Sequence, residues 1–240
     1  MSASERRAAP RTAVVWDVLD PVLAEPGRPL DVVDIGGGTG GSAVRVAGLG
    51  HRVTVVDPSP DALAALARRA REHGVEVEGH QGDLSDLRAL VGPDGADVVL
   101  CHGVLEVVAD PAAALTGIRD VLRPGGHLSL LVTQRHAAVV ARAMAGHFAQ
   151  AAAMLDATEP PVAGSRTGRR FTTAEATALL EAAGFAVAAT HGVRVFADLV
   201  PGSLLDLEPG AAAALVDLER AVATRAEYLP LATQVHLLAG

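Results

Sequence analysis

The sequence predicts an α/β fold: a doubly wound, mostly parallel sheet of seven strands whose last strand runs antiparallel. Three observations point there. Short β-branched apolar runs alternate with stretches of helical periodicity along the chain, the pattern of strands joined by crossover helices. The first apolar run, in Leu30 to Gly41 (LDVVDIGGGTGG), stops at a block of glycines. The last two strand-like runs, Ala186 to Ala197 and Gln234 to Leu238, suit an antiparallel pair at one edge.

Taken in order, residues 1 to 10 are expected to be disordered and residues 11–240 to form a single domain, since 240 residues, half of them apolar, bury one substantial core. Arg11 to Leu23 reads as an amphipathic helix with Val14, Val15, Val18, Leu19 and Val22 inward. Val32, Val33 and Ile35 form strand one. Gly36, Gly38 and Gly40, with Gly37 among them, then shape a loop free to take φ > 0 and to let a ligand approach the backbone. From Ser42 the apolar spacing is helical, so the loop opens onto a helix N-terminus that favours ligand oxygens. The spacing Gly36, Gly38, Gly41 also fits G-x-G-x-x-G, which leaves a nicotinamide cofactor open at this point.

Strand two, Arg52 to Asp57, ends in an acid about 20 residues past the loop, where a carboxylate accepts both hydroxyls of a ribose. The helix Asp61 to His73 follows. Val75 to His80 is a weaker third strand, and Asp83 beyond it either accepts from an adenine amino group or caps the helix Leu84 to Val91. Ala96 to His102 is the central fourth strand, with His102 at the carboxyl end where open α/β sheets bind ligands. Asp110-Pro111 opens a helix that Arg123-Pro124-Gly125-Gly126 terminates. Strand five is His127 to Thr133, followed by one long helix, Ala137 to Leu155, and a loop bearing Arg166, Arg169 and Arg170. Thr172-Thr173 with Glu175 caps the next helix, which Gly184 ends; Ala211 to Ala226 is the last helix.

Composition narrows the function. All 20 basic residues are arginine, so Schiff-base chemistry is closed to the chain, and a net charge of −8 argues against a broad polyanion surface. Cys101 stands alone, which excludes an internal disulfide and a cysteine-rich metal cage, and no metal site is expected. Neither a signal-peptide core nor a membrane span is legible, and a cytoplasmic location without membrane partners is expected.

Taken together, Asp34 with Gly36, Gly38 and Gly40, then Asp57, Asp83 and the Arg123-Pro124-Gly125-Gly126 turn, resemble class I S-adenosylmethionine-dependent methyltransferases, which have a Rossmann-like sheet. The stretches CHGVLEVVADP, VLRPGGHLSLL, Ala145 to Phe148 and GVRVFAD are similar to the bacterial tRNA 5-carboxymethoxyuridine methyltransferases. The resemblance implies S-adenosyl-L-methionine as cofactor. It puts Arg11 on the methionine carboxylate, Gly36 to Gly38 in the loop, Asp57 with Pro58 at the ribose, Gly82-Asp83 at adenine and His102 near the methionine end. Three departures bear on the acceptor. Ten residues precede Arg11 where the family has a longer lid, its lysine-rich loop is reduced to Arg166, Arg169 and Arg170, and Ala232-Thr233-Gln234 replaces Gly-Arg-Tyr. Each removes charge or stacking surface that a tRNA would use.

The implied reaction is O-methylation of a carboxylate, tRNA-borne or on a small-molecule acid, which needs a cation to hold the acceptor and no general base. Arg194 is the first candidate for that clamp, with His136 and Tyr228 lining the acceptor pocket. The alternatives are an NAD(P)-dependent reductase and a non-catalytic protein that binds S-adenosylmethionine. The oligomeric state is left open by the sequence.

Overall fold

The computed structural model describes residues 3–24, 27–155 and 168–240; Arg166 lies outside them. Among the described residues, seven strands form one sheet: β1 (Asp31–Ile35), β2 (Arg52–Asp57), β3 (Glu78–Gln81), β4 (Ala96–His102), β5 (Leu122–Thr133), β6 (Val187–Val193) and β7 (Gln234–Ala239), in the order β3-β2-β1-β4-β5-β7-β6. The expected fold is present, with β1 parallel to both β2 and β4 and β2 parallel to β3. The final strand lies between β5 and β6 and runs antiparallel to both. Its start bonds the end of β5 (Gln134 amide to Thr233 carbonyl, 2.9 Å). Its end exchanges two amide bonds between Gly240 and Ala186 (2.9 and 3.0 Å).

The chain divides into two compact units, one of Val22–Leu130, Ala178–Ala188 and Leu238–Gly240, the other of Met1–Pro21, Leu131–Thr177 and Ala189–Leu237. In the first, β1 and β4 are buried along nearly their whole length, as the unbroken apolar runs require of central parallel strands. Helix α2 (Gly41–Gly48) follows β1, α3 (Pro60–His73) follows β2, α4 (Leu87–Val91) follows β3 and α5 (Pro111–Val121) follows β4. The α5 stripe of Ala114, Leu115, Ile118 and Val121 is buried.

The amino ends of these strands are held by charge. Asp97 of β4 accepts from Arg28 (2.9 Å), from the Asp31 amide (2.8 Å) and from Arg123 (2.8 Å), while Asp31 also pairs with Arg52 (2.6 Å) and Arg123 (2.9 Å). Burial alone would raise the Asp97 carboxyl. The Arg28 guanidinium, the Asp31 amide and Arg123 outweigh it and hold the group well below the usual carboxylate range.

In the second unit, α1 (Ala3–Ala24) buries Val14, Val15 and Leu19, and Asp17 on its outer face pairs with Arg220 (2.7 Å) of α10 (Ala211–Val222). After β5 come α6 (Arg135–Met144) and α7 (Phe148–Ala153), then α8 (Thr173–Ala182). The capping box at α8 forms as read: the Thr172 hydroxyl accepts from the Glu175 amide (3.2 Å) and Glu175 accepts from the Thr172 amide (2.7 Å). Glu175 further pairs with the buried Arg135 (2.8 Å). A short helix α9 (Leu204–Leu207) and a 3₁₀ turn at Leu229–Leu231 complete the unit.

Several boundaries differ from the sequence reading. Helix α1 starts at Ala3, upstream of the expected start at Arg11 and within the stretch expected to be disordered, with Pro10 inside it. The single helix expected over Ala137 to Leu155 is two, broken where Gly146 takes φ +79°. The Arg123 to Gly126 segment is the start of β5 rather than a turn before it, which brings Arg123 onto Asp97 and Asp31. β3 begins three residues later than read, α4 begins at Leu87, and β6 stops at Val193 because Arg194 is left-handed (φ +61°).

The charge cluster predicts a pH-dependent stability. Asp97→Ala is expected to cost about 2 kcal/mol at pH 7 by urea unfolding. Because the folded-state pKa is depressed, that contribution is complete above the unfolded carboxylate pKa and is lost as pH falls through the folded one. The gap between wild type and variant therefore narrows in acid; a gap that widens there contradicts the assignment.

Candidate functional site

The first part of the site grows from the register of three parallel strands. Ile35 pairs with Val56 and Asp57 with Gln81, so β1, β2 and β3 end side by side. Past the strand ends the ladder continues through Gly36 amide to Val56 carbonyl (2.8 Å) and Gly82 amide to Asp57 carbonyl (3.3 Å). The glycine loop, Asp57 and Gly82-Asp83 are thereby gathered at one edge.

Within the loop, a Cβ on Gly36 (φ +63°) would stand 2.6 Å from a Val104 methyl, and one on Gly37 would stand 2.8 Å from Asp34 Oδ2. Gly40 caps α2 in the left-handed region with no side chain on the helix amides. Asp57 is oriented from both sides: Oδ2 accepts from the Gly38 amide (2.9 Å) and Oδ1 from the Ser59 amide (2.8 Å). Ser59, not Asp57, caps α3 through the Ala62 amide (3.2 Å), so Asp57 is spared that duty. Asp83 accepts at Oδ1 from the Ser85 amide (2.7 Å) and hydroxyl (2.6 Å), bonds that lower its pKa, and Asp86 takes its amide (3.0 Å).

A cavity of about 500 Å³ opens here, lined by Gly36, Pro58, Gly82 and Asp83 and walled by Val104, Val107 and Val108 from the loop after β4. Sequence reasoning missed those valines; the signal was the apolar run GVLEVV in a loop, where Val107 is 70% exposed. Asp34 is buried, its Oδ2 has no hydrogen-bond partner, and burial, with Asp57 adding like charge, lifts its carboxyl to about 7. An orphaned buried carboxylate beside a glycine cradle suits a cationic ligand. An adenosyl sulfonium fits these residues. His102 ends β4 with Nε2 2.8 Å from the Ser129 hydroxyl of β5, and burial draws it down to about 4, so it is neutral at pH 7.

A separate group of candidate residues belongs to the other unit. Arg194, left-handed at φ +61°, gives Nη2 to Asp198 (2.6 Å) and Nη1 to Gln234 (3.2 Å), while its buried Nε has no partner. Arg11 reaches the same carboxylate (3.3 Å), so the two candidate arginines share Asp198. The three following amides, of Val195, Phe196 and Ala197, all donate to the fully buried Glu219 of α10 (2.9, 2.8 and 2.7 Å). Asp198 sits within GVRVFAD, but its pairing with Arg11 spans most of the chain, and Glu219 carried no sequence signal because it acts from 24 residues away. A cavity of about 540 Å³ includes Asp198, Phe196 and Gln134 in its lining. His136 is exposed and Tyr228 packs edge-on against Phe196 (6.1 Å); neither is among the lining residues. Among the described residues no cluster of His, Cys, Asp or Glu is placed to hold a metal ion, and no helix is long and apolar enough to cross a membrane.

Comparison with known proteins bears on this geometry. The family described as "Methyltransferase domain" matches residues 32–126. The chain is 32% identical over 236 residues to the tRNA 5-carboxymethoxyuridine methyltransferase of Escherichia coli (strain K12), covering 95% of this chain and 87% of that one. It is 35% identical over 115 residues to the ubiquinone biosynthesis O-methyltransferase of Xanthomonas euvesicatoria pv. vesicatoria (strain 85-10), 48% of each chain. Among solved structures, an S-adenosylmethionine dependent methyltransferase from Mesorhizobium loti superposes with a TM-score of 0.59 at 19% identity, covering 93% of this chain and 96% of that one, a likeness of fold. The glycine cradle and the two strand-tip acids lie within the residues 32–126 that the family matches. The chain therefore belongs to the S-adenosylmethionine-dependent methyltransferases, in the family of the tRNA 5-carboxymethoxyuridine methyltransferases.

Proposed function

We propose that this methyltransferase esterifies a carboxylate, with Arg194 as the clamp on the acceptor. The observation that carries the reading is the Arg194 guanidinium itself, fixed at Nη1 and Nη2 with a buried Nε–H left open, in a segment whose backbone is pinned by Glu219. S-adenosylmethionine, when bound, supplies a methyl already activated on sulfur. The chain supplies the rest. An ionised carboxylate is nucleophilic at neutral pH without a base, so alignment is the main demand on the protein. The guanidinium takes one acceptor oxygen and leaves the other to react. Arg11 keeps the carboxylate-binding role that the resemblance implies, with Asp198 as its partner in the described structure.

On the cofactor side we assign Asp57, beside Pro58, to the ribose hydroxyls, Gly82 and Asp83 to the adenine amino group, and Gly36, Gly37, Gly38 and Gly40 to the close backbone approach. Asp34 supplies negative charge to the cationic cofactor. His102 stays neutral and adds no positive charge near it. His136 and Tyr228 take no part in this reading; Tyr228 supports Phe196 from behind.

Two expectations test the assignment. Label from methyl-labelled cofactor should leave the product as methanol in mild alkali; alkali-stable label would refute esterification. Arg194→Ala should lower kcat/KM for transfer about 100-fold while the rise in Tm caused by S-adenosylhomocysteine stays unchanged, and an equal loss of that rise would move Arg194 to the cofactor.

A third expectation concerns pH. A cation bound beside Asp34 favours its ionised form, so binding lowers a pKa of about 7 and releases a proton. Affinity for S-adenosylmethionine should rise between pH 6 and pH 8, by up to about tenfold for one proton, and Asn at position 34 should flatten the profile. Calorimetry in buffers of different ionisation enthalpy reads the proton directly; no release at pH 7 would remove Asp34 from the site.

A further inference from the structure

The loop after β4 inverts the usual order of burial. In Gly103 to Ala109 (GVLEVVA) the only charged side chain is Glu106, and it is 5% exposed while the adjacent Val107 is 70% exposed. A surface loop ordinarily turns its carboxylate to water and its valine inward, because an ionised group loses its hydration on burial. Here the Val107 amide closes a turn on the Val104 carbonyl (3.0 Å), and Leu105 beside Glu106 is fully buried. The same loop walls the cofactor cavity. Val104, Val107 and Val108 line it, and Val104 lies so near the glycine loop that a Cβ on Gly36 would meet its methyl at 2.6 Å.

Glu106 and Asp34 converge on one sulfur. Cys101 of β4 pairs with Ile35 of β1, one residue past Asp34, and the Leu105 amide donates to its thiol. Burial, then the charges of Glu106 and Asp34, holds that thiol up to about 12. Asp34 Oδ2 lies beside Gly37, where a Cβ would stand 2.8 Å from it, with no hydrogen-bond partner among the described residues. A bound cation satisfies such an oxygen. All of these residues belong to one unit.

We propose that Glu106 is a further positioning residue for the cofactor, a second buried carboxylate that acts with Asp34, by charge, on the cationic methionyl end of S-adenosylmethionine; the inference rests on the assignment of Asp34 above. Charges in the interior are little screened by solvent, so Glu106 acts from behind the glycine loop without touching the ligand. The cofactor carries positive charge at the sulfonium and the α-ammonium. S-adenosylhomocysteine keeps the ammonium alone, and 5′-methylthioadenosine has neither charge on the same adenosine.

Calorimetry with these three ligands on the full chain separates charge from shape. Glu106→Gln should weaken S-adenosylmethionine about tenfold or more and leave 5′-methylthioadenosine unchanged. A loss shared by S-adenosylhomocysteine puts Glu106 against the ammonium, and a loss confined to S-adenosylmethionine puts it against the sulfonium; either supports the proposal. Glu106→Asp, which keeps the charge one carbon farther back, should fall between, at about threefold, and serves alone should Glu106→Gln not fold. Equal loss for all three ligands, as from a merely structural role, or no loss for any, overturns the proposal. Asp34→Asn is measured beside them. A charge-selective loss there with none at Glu106 overturns Glu106 and leaves Asp34 in place; the converse keeps Glu106 and refutes the reading of Asp34, a separable failure.

Discussion

The hydrogen bond from the Gly38 amide to Asp57 ties the glycine loop to the tip of β2, and the cofactor half of the molecule follows from it. With one oxygen on Gly38 and the other on the Ser59 amide, the carboxylate is held before any ligand arrives. An ionised carboxylate has about four acceptor positions, so two amide bonds orient it and leave room for a pair of hydroxyls. The same residue's carbonyl takes the Gly82 amide, which draws the loop after β3 to the same edge. One short side chain thus couples three loops. Parallel register does the rest, because strands that pair residue for residue also end together.

The turn at Arg194 depends on a backbone that resists its own conformation. A non-glycine residue at φ +61° costs about 1 to 3 kcal/mol and persists only where its surroundings impose it. Here the imposing group is Glu219, whose buried carboxylate gathers three consecutive amides directly after Arg194. β6 stops at Val193 for that reason, and the chain turns so that residues 194 and 198 meet at a 2.6 Å ion pair. The Arg220–Asp17 pair, one residue on from Glu219, anchors α10 to α1 and so fixes the carboxylate that fixes the turn.

What was legible in the sequence was what local chemistry decides. β2 and β4 match their reading at both ends because an apolar run bounded by a turn or an acid leaves little choice. The glycine loop and the Thr172–Glu175 box were legible because steric freedom and helix capping operate within a few residues. The misreadings share a cause. The Arg123 to Gly126 segment looks like punctuation, and tertiary contacts override that local preference: Arg123 enters β5 to satisfy Asp97 and Asp31. Glu219 and Gln234 could not be read because each acts on Arg194 or its turn from a sequence distance that periodicity does not encode.

The two units differ in the charge their candidate residues carry. Asp34, Asp57 and Asp83 stand around the glycine cradle. The histidine ending β4, His102, is drawn to about 4 and stays uncharged, so it adds no positive charge to that group of carboxylates. Around Asp198 the balance reverses, since one carboxylate shared by Arg11 and Arg194 leaves a net positive charge. Arginine rather than lysine fits that task. Its planar fork spends Nη1 and Nη2 on Gln234 and Asp198 and still has Nε–H in hand, whereas an ammonium held by the same two groups would present no fixed edge. A nucleophile that is already an anion needs only to be oriented, and a guanidinium locked on two of its three nitrogens orients without moving a proton.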